Sequence, residues 1–377
     1  MLFNTCNLEG RLMSVFISDM FIKSYRGISS LELKDLASVN IITGDNNSGK
    51  TSVLELLKSI ENPGDFNVWR TLIRRDNYSI RRGMTYFEGF YDLFNVDSDN
   101  KNVAYSISIN GVKEDIYMQG KVTEEELLES EINKMLGYVY GRNSNDDDNL
   151  QSILKLELDM NINDNKCFSQ EIYEGQIQFK SRHQNETNRR NVIYISPTRH
   201  ADGMVYLNAM LENAELYEQL LEVLKQYDED IVSINYDNSE KNISGRGVYK
   251  ILSKAHKKAL PLNVYGDGMK KAVLIMSAAI AAKDGVLLID EFETAIHTSA
   301  MEKTFKWIIE TCKKLNVQVF LTSHSKEAIE KLLKCSSECI DDIAVYTLSK
   351  RENRTAVRRL DGRKAIELQD NMGLELR

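Results

Sequence analysis

Eight residues limit what this chain can fold into more than any others. Residues 44 to 51 read Gly44-Asp45-Asn46-Asn47-Ser48-Gly49-Lys50-Thr51, a complete G-x-x-x-x-G-K-S/T pattern. The preceding segment, residues 38–43, is short, apolar and β-branched, which predicts a buried parallel strand. The following segment, residues 52–60, has apolar residues at helical spacing. A loop held between a strand and a helix in this way is a phosphate cradle. Its glycines let the backbone close round phosphate oxygens, and the helix start adds free N–H groups and partial positive charge. Gly44 to Ser52 are therefore the candidate nucleotide-binding residues, with Lys50 reaching the β- and γ-phosphates and the Thr51 hydroxyl a ligand to Mg2+. The plainer alternative is a glycine turn before a helix.

Three further segments bear on which kind of phosphate-loop protein this is. Residues 286–289 are four consecutive apolar residues followed by Asp290 and Glu291, a buried strand ending in two carboxylates. In open α/β sheets ligands collect at the carboxyl ends of strands. Asp290 fits the role of holding Mg2+, and Glu291, one residue on, fits a general base that polarises the attacking water. The alternative is a strand with a solvated acidic end. A third apolar strand, residues 317–322, ends in Ser323-His324-Ser325, which places His324 where a γ-phosphate sensor would stand. Lastly, Tyr265-Gly266-Asp267-Gly268-Met269 opens an apolar helix expected over residues 272–282, so Gly266, Asp267 and Gly268 form a second candidate anion-binding helix start.

Taken in order, phosphate loop, long insertion, glycine-rich helix start, Asp-Glu strand and Ser-His strand resemble the ABC-type ATPase head of ABC transporters, SMC and RecF proteins and the OLD-like AAA ATPases of bacteria. Residues 266–329 look most like the OLD-like group, which includes the ATPase subunits of PARIS-type anti-phage systems. The likeness spans residues 14–60 and 190–377. It implies an α/β fold, an ABC-type P-loop NTPase head with a mixed β-sheet core and an inserted α+β or helical lobe. It also implies ATP and Mg2+ as cofactors and ATP hydrolysis as the reaction. One departure stands out: where a transporter signature has Ser-Gly-Gly, this chain has Gly266-Asp267-Gly268, so backbone N–H groups replace the serine hydroxyl. Glu293 and His297 follow the family pattern after Asp290-Glu291; as a metal pair they lack a third ligand.

Composition bounds the setting. No segment of the 377 residues has the apolar length of a membrane span, and the N-terminus lacks the charged start and apolar core of a signal peptide. Five scattered cysteines argue for a reducing compartment, so a cytoplasmic location is expected. A net charge of −8 disfavours a protein that coats nucleic acid over its whole surface but leaves room for a local basic site.

The expected organisation is an N-terminal extension (1–13), a first nucleotide-binding part (14–60), an inserted arm (61–250) and a second nucleotide-binding part (251–341). A C-terminal hairpin and helix (342–377) close the chain. Within the arm, residues 103–109, 153–158 and 177–179 read as strands, and residues 191–196 as a further central strand. An acidic helix is expected over 123–136, with Thr123 and Glu126 as its capping box. A Leu- and Glu-rich helix is expected from Asn208 to about Tyr227, too short for an SMC coiled coil, and residues 141–149 read as a loop.

Two surfaces are candidates for partners. Arg70, Arg74, Arg75, Arg81 and Arg82 are interleaved with Trp69, Tyr78, Tyr86, Phe87, Phe90 and Tyr91, a mixture that suits nucleic acid, a protein interface, or a solvated arginine face over an aromatic core. Arg189, Arg190, Arg199 and His200 flank residues 191–196 and are candidates to line the nucleotide crevice. The resemblance implies a homodimer or higher assembly closing round ATP, with a separate effector, a nuclease or toxin, carrying the harmful chemistry. The alternatives are a RecF- or SMC-like repair ATPase that clamps DNA itself, and a nucleotide-locked scaffold.

Overall fold

Side-chain alternation along the strands sorts the chain into sheets. The computed structural model describes residues 15–73, 85–96, 98–136, 150–176, 179, 189–196, 207–238, 248–295, 301–335, 337–351 and 354–372. The hairpin β1 (Ile17–Tyr25) and β2 (Ile28–Leu33) leads to β3 (Val39–Gly44), and the phosphate loop then opens α1 (Lys50–Ser59). Short helices α2 (Phe66–Leu72) and α3 (Tyr86–Tyr91) precede β4 (Asn102–Ile109), β5 (Val112–Leu128), α4 (Glu129–Leu136), β6 (Leu150–Ile162) and β7 (Asn165–Tyr173). β8 (Val192–Ile195) is followed by α5 (Asn208–Leu211), α6 (Ala214–Leu224), β9 (Ile231–Asp237), β10 (Val248–Ser253) and β11 (Leu260–Pro261). The rest is α7 (Asp267–Ala281), β12 (Val286–Ile289), α8 (Phe292–Ala295), α9 (Met301–Lys314), β13 (Gln318–Thr322), α10 (Lys326–Cys335), β14 (Ile343–Arg351), β15 (Arg354–Asp361) and α11 (Gly362–Met372).

The central sheet has the order β15-β14-β3-β13-β12-β8; all neighbouring pairs are parallel except β14 with β15. Its inner strands β3, β12 and β13 are buried along their whole length because both faces are covered. Ile42, Leu288, Phe320 and Tyr346 face α1 and the antiparallel sheet, whereas Ile41, Leu287, Val319 and Val345 face the α9 and α10 side. The second sheet, β2-β1-β4-β5-β6-β7, is antiparallel. Gln318 fastens it to the first: its amide accepts from Ile17 N at 2.8 Å and donates to Ile17 O and Ala37 O, both at 2.9 Å. Helix α1 lies between the sheets with Val53, Leu54, Leu56 and Leu57 fully buried. Each such side chain contributes about 1.5–3 kcal/mol of burial, and this anchors the loop at the helix's start. A third, three-stranded sheet, β11-β10-β9, packs with α5 and α6 on α7.

Four expectations need correction. Residues 123–128 are the end of β5, not a helix; they pair with β6 from Leu150 to Lys155, and the helix begins only at Glu129. Local preference for helix at Glu and Leu yields there to cross-strand pairing and to the ion pair of Glu125 with Lys155. The capping box lies elsewhere, at Thr85 and Glu88 of α3. The helix expected from Asn208 to Tyr227 is two, because Asn213 is extended and its side chain caps α6 by accepting from Leu216 N at 3.1 Å. Residues 192–195 form a strand of the central sheet, but at its edge beside β12. The loop at 141–149 and residues 177–178 lie outside the described residues.

Candidate nucleotide site

Parallel pairing carries the C-terminal ends of β3, β13 and β12 to one edge of the central sheet. Gly44, Thr322 and Asp290 stand at or just beyond those ends. The turn out of β3 needs glycine: Gly44 has φ 137°, and a Cβ there would meet Leu348 O of β14 at 2.1 Å. Gly49, at φ 100°, is the residue before α1, and Asn47 also adopts positive φ. The backbone thus wraps round a hollow. Ser48 Oγ is buried in this loop without a hydrogen-bond partner, as expected of a group that awaits an anion.

Lys50 Nζ lies across the loop, donating to Gly44 O at 2.7 Å and Asp45 O at 2.9 Å. Burial lowers its pKa; the carboxylate of Asp290 pulls in the opposite direction. Asp290 is 1% exposed, and burial raises its pKa above the usual range. Thr322, Thr51 and Tyr194 hydroxyls hydrogen-bond it and partly offset that shift; Tyr194 OH donates to Oδ2 at 3.4 Å. Thr322 Oγ1 has two tasks: it donates to Asp290 Oδ1 and accepts from Glu291 N at 2.8 Å. Glu291 takes φ 50°, the left-handed region, which turns it into the cleft.

The cleft has a volume of about 820 Å³. The loop residues Asn46 to Ser52 line it together with Asp290, Glu291 and His324. The Thr51 hydroxyl and Asp290 carboxylate are adjacent oxygen donors, the type of set that holds Mg2+ when phosphate oxygens and water complete its shell. No group of three or more His, Cys, Asp or Glu placed to hold a metal occurs among the described residues. Metal binding here would therefore depend on the phosphates.

Residues 39–330 match the family model described as "AAA domain, putative AbiEii toxin, Type IV TA system". The chain belongs to this AAA-domain family. Among curated relatives it is similar to an ATP/GTP phosphatase of Helicobacter pylori, 26% identical over 346 residues, 84% of this chain and 87% of the relative. It is also similar to an uncharacterized protein of Methanocaldococcus jannaschii, 34% identical over 114 residues, 30% of this chain and 98% of that protein. Among solved structures it resembles an Smc head bound to the C-terminal winged-helix domain of ScpA. That match has 12% identity, covers 93% of this chain and 100% of that one, and has a TM-score of 0.50. The fold is that of an ABC-type P-loop ATPase head.

Several residues of the AAA domain's cleft had no motif to announce them. Arg26, Gly27 and Ile28, in the β1–β2 turn, form one wall, and Lys350, near the tip of the β14–β15 hairpin, forms another. Arg26 is held from below: Nε donates to Glu55 Oε2 at 3.0 Å, and the two Nη atoms donate to Asp92 O and Leu72 O at 3.1 and 3.0 Å. Arg26 and Gly27 are remote in sequence from the other motifs, and only tertiary folding brings them to the loop. Tyr194 and Thr322 likewise had no signal beyond lying in strands.

Other expected residues stand elsewhere. Gly266, Asp267 and Gly268 do not line this cleft; Gly266 and Asp267 are exposed at the start of α7. Asp267 pairs with Lys270 at 2.6 Å, which lowers its pKa and turns its charge along the helix. Arg189 and Arg190 do not line the crevice either, because they precede β8 at the opposite end of the sheet. Arg190 donates to Ile60 O at 3.0 Å and pairs with Glu114, while Arg189 lies 3.7 Å from Glu61 and Asp65. Arg70 is packed against the Tyr86 and Phe179 rings and donates to Asn67 Oδ1 at 3.0 Å. Trp69, Phe87 and Phe90 are core, matching the aromatic-core alternative for those residues. Arg74, Arg75, Arg81, Arg82, Tyr78, Arg199, His200 and His297 lie outside the described residues. No described helix is long and apolar enough to cross a membrane.

Proposed function

We propose that this chain binds ATP with Mg2+, hydrolyses it, and uses it to close two copies of itself into a dimer that senses a trigger and scaffolds a separate effector. The observation that carries the reading is the meeting of Lys50, Thr51, Asp290, Glu291 and His324 in one cleft at the ends of three parallel strands. Lys50 binds and neutralises the β- and γ-phosphates. Thr51 and Asp290 would hold Mg2+, which on binding adds charge to offset the phosphates. Glu291, turned into the cleft, accepts a proton from the attacking water, and His324 contacts the γ-phosphate oxygens. The relative named as an ATP/GTP phosphatase supports nucleotide hydrolysis.

The second binding surface comes from another copy. Gly266 to Gly268 open α7 with free N–H groups, Gly266 and Asp267 being exposed, and do not line their own chain's cleft. A two-fold dimer would bring that helix start to the partner's γ-phosphate, which ADP lacks. The role in bacterial anti-phage defence rests on the OLD-like resemblance and on a family description that names a putative toxin of a toxin–antitoxin system. A chain that clamps DNA directly, as the Smc-head likeness of its fold allows, would differ by DNA-stimulated turnover.

Phosphate release from Mg-ATP tests the chemistry. The expected result is steady turnover by the parent chain and none by Lys50→Ala or Glu291→Gln, with Glu291→Gln still binding ATP. Parent-rate hydrolysis by either variant would overturn the assignment of these residues.

A further inference from the structure

His324 lies just past the last residue of β13, where the sheet no longer holds the chain. The final ladder-like bond is Ser323 N to Ile42 O at 3.1 Å. The next backbone donor, His324 N, goes to the Oε1 of Glu293 at 3.0 Å, and the same oxygen lies 3.4 Å from Nδ1 of the His324 ring. Glu293 thus accepts from the backbone and stands beside the imidazole of His324, the one histidine of the cleft among the described residues. Its side chain is 10% exposed, while that of His324 is 44% exposed. Its second oxygen, Oε2, is buried and without a partner. A buried carboxylate with one oxygen unmatched is costly unless it serves something. Glu293 belongs to α8, whose Thr294 carbonyl accepts from Lys271 Nζ of α7. The contact with His324 is therefore itself braced against α7, the helix whose N-cap is Gly266.

We propose that Glu293 is the positioning residue for His324, fixing its Nδ1–H tautomer and its backbone so that Nε2 is the nitrogen offered to the terminal phosphate. A carboxylate behind a histidine sets which ring nitrogen carries the proton and holds the ring in one orientation. The inference rests on the nucleotide reading of the cleft. It adds that the γ-phosphate contact is made by a pair of residues and not by the histidine alone. Through Lys271 and Thr294 the pair is also tied to the helix start that would face a second copy's nucleotide.

A double-mutant cycle on ATP hydrolysis tests it. Glu293→Ala and His324→Ala should each lower kcat/KM by about tenfold or more, while Glu293→Gln, whose Oε1 can still accept from His324 N and stand beside Nδ1, should stay within about threefold of the parent. In the His324→Ala background, Glu293→Ala should cost less than about twofold, because its object is gone. Parent-like kcat/KM in Glu293→Ala, or the same loss with and without His324, would overturn the proposal and leave Glu293 a general structural residue. Should Glu293→Ala fail to fold, Glu293→Asp, which keeps the charge but withdraws it by one methylene, takes its place in the cycle with the same two outcomes. Lys50→Ala separates the premises: unchanged ATP affinity there defeats the nucleotide reading itself, whereas an inert Lys50→Ala beside an additive cycle defeats only the role of Glu293.

Discussion

Asp290 stands where burial disfavours the charged form of its carboxylate. Burial raises its pKa in the folded chain above the value it has unfolded, so the ionised form weakens the native state. For a carboxylate shifted in this direction, the penalty is present above the folded-state pKa. It disappears as pH falls to the unfolded-state value, where both states are protonated. Asp290→Asn should therefore raise the melting temperature of the nucleotide-free protein at pH 8, with the gain fading as pH drops through the carboxylate range. Thermal unfolding across pH measures this; an Asn variant less stable at pH 8 than the parent would show that the hydrogen bonds from Thr322 and Thr51 outweigh the desolvation. The same substitution should abolish Mg2+-dependent turnover. Stability surrendered at a residue proposed to meet a cation is what a working site would predict. At this scale the sequence was most legible: the positions of Lys50, Thr51, Asp290, Glu291 and His324 followed from their motifs and the strands before them. Arg26, Tyr194, Thr322 and Lys350 did not, because nothing local announces a residue that reaches the cleft only through sheet pairing or a turn.

At the scale of elements, the strands of the central sheet were the most readable. Buried on both faces, Val39–Gly44, Val286–Ile289 and Gln318–Thr322 are short apolar runs that no amphipathic element would carry. Misreadings fell where pairing outweighs local preference, as along Thr123–Leu128, and where one polar side chain stops a helix, as at Asn213. The edge position of β8 could not be read either, since an apolar run does not say how many neighbours it has. The join between β12 and β13 makes a testable unit. Thr322 Oγ1 links the Asp290 carboxylate to the Glu291 backbone, so Thr322→Val keeps the shape and loses both bonds. Leaving Glu291 N without its partner should cost about 1–3 kcal/mol of stability and lower phosphate release by about tenfold or more. Chemical denaturation and a turnover assay measure the two effects. Parent-like values in both would mean that β12 and β13 hold the carboxylates without this link.

At the scale of the whole molecule, the cleft and the start of α7 are separate features of the chain, and the proposed dimer is what would bring them to one nucleotide. The phosphate loop, Asp290, Glu291 and His324 line the cleft, and the start of α7 opens onto solvent outside that lining. Gly266 has open space around its Cα, so a phosphate oxygen can approach the backbone there without displacing a side chain. Asp267, paired with Lys270, turns its carboxylate along its own helix, which lessens the repulsion an acidic residue would present to a triphosphate. On the proposed function, ATP would act as the joint between copies, and hydrolysis as its release. Glu291→Gln keeps side-chain shape and loses the base, so it should accumulate as the closed species. Sedimentation velocity of Glu291→Gln with saturating Mg-ATP, against the same sample with Mg-ADP, measures this most directly: a dimer with ATP and a monomer with ADP is the predicted result, and a chain that binds ATP yet stays monomeric would contradict the shared site.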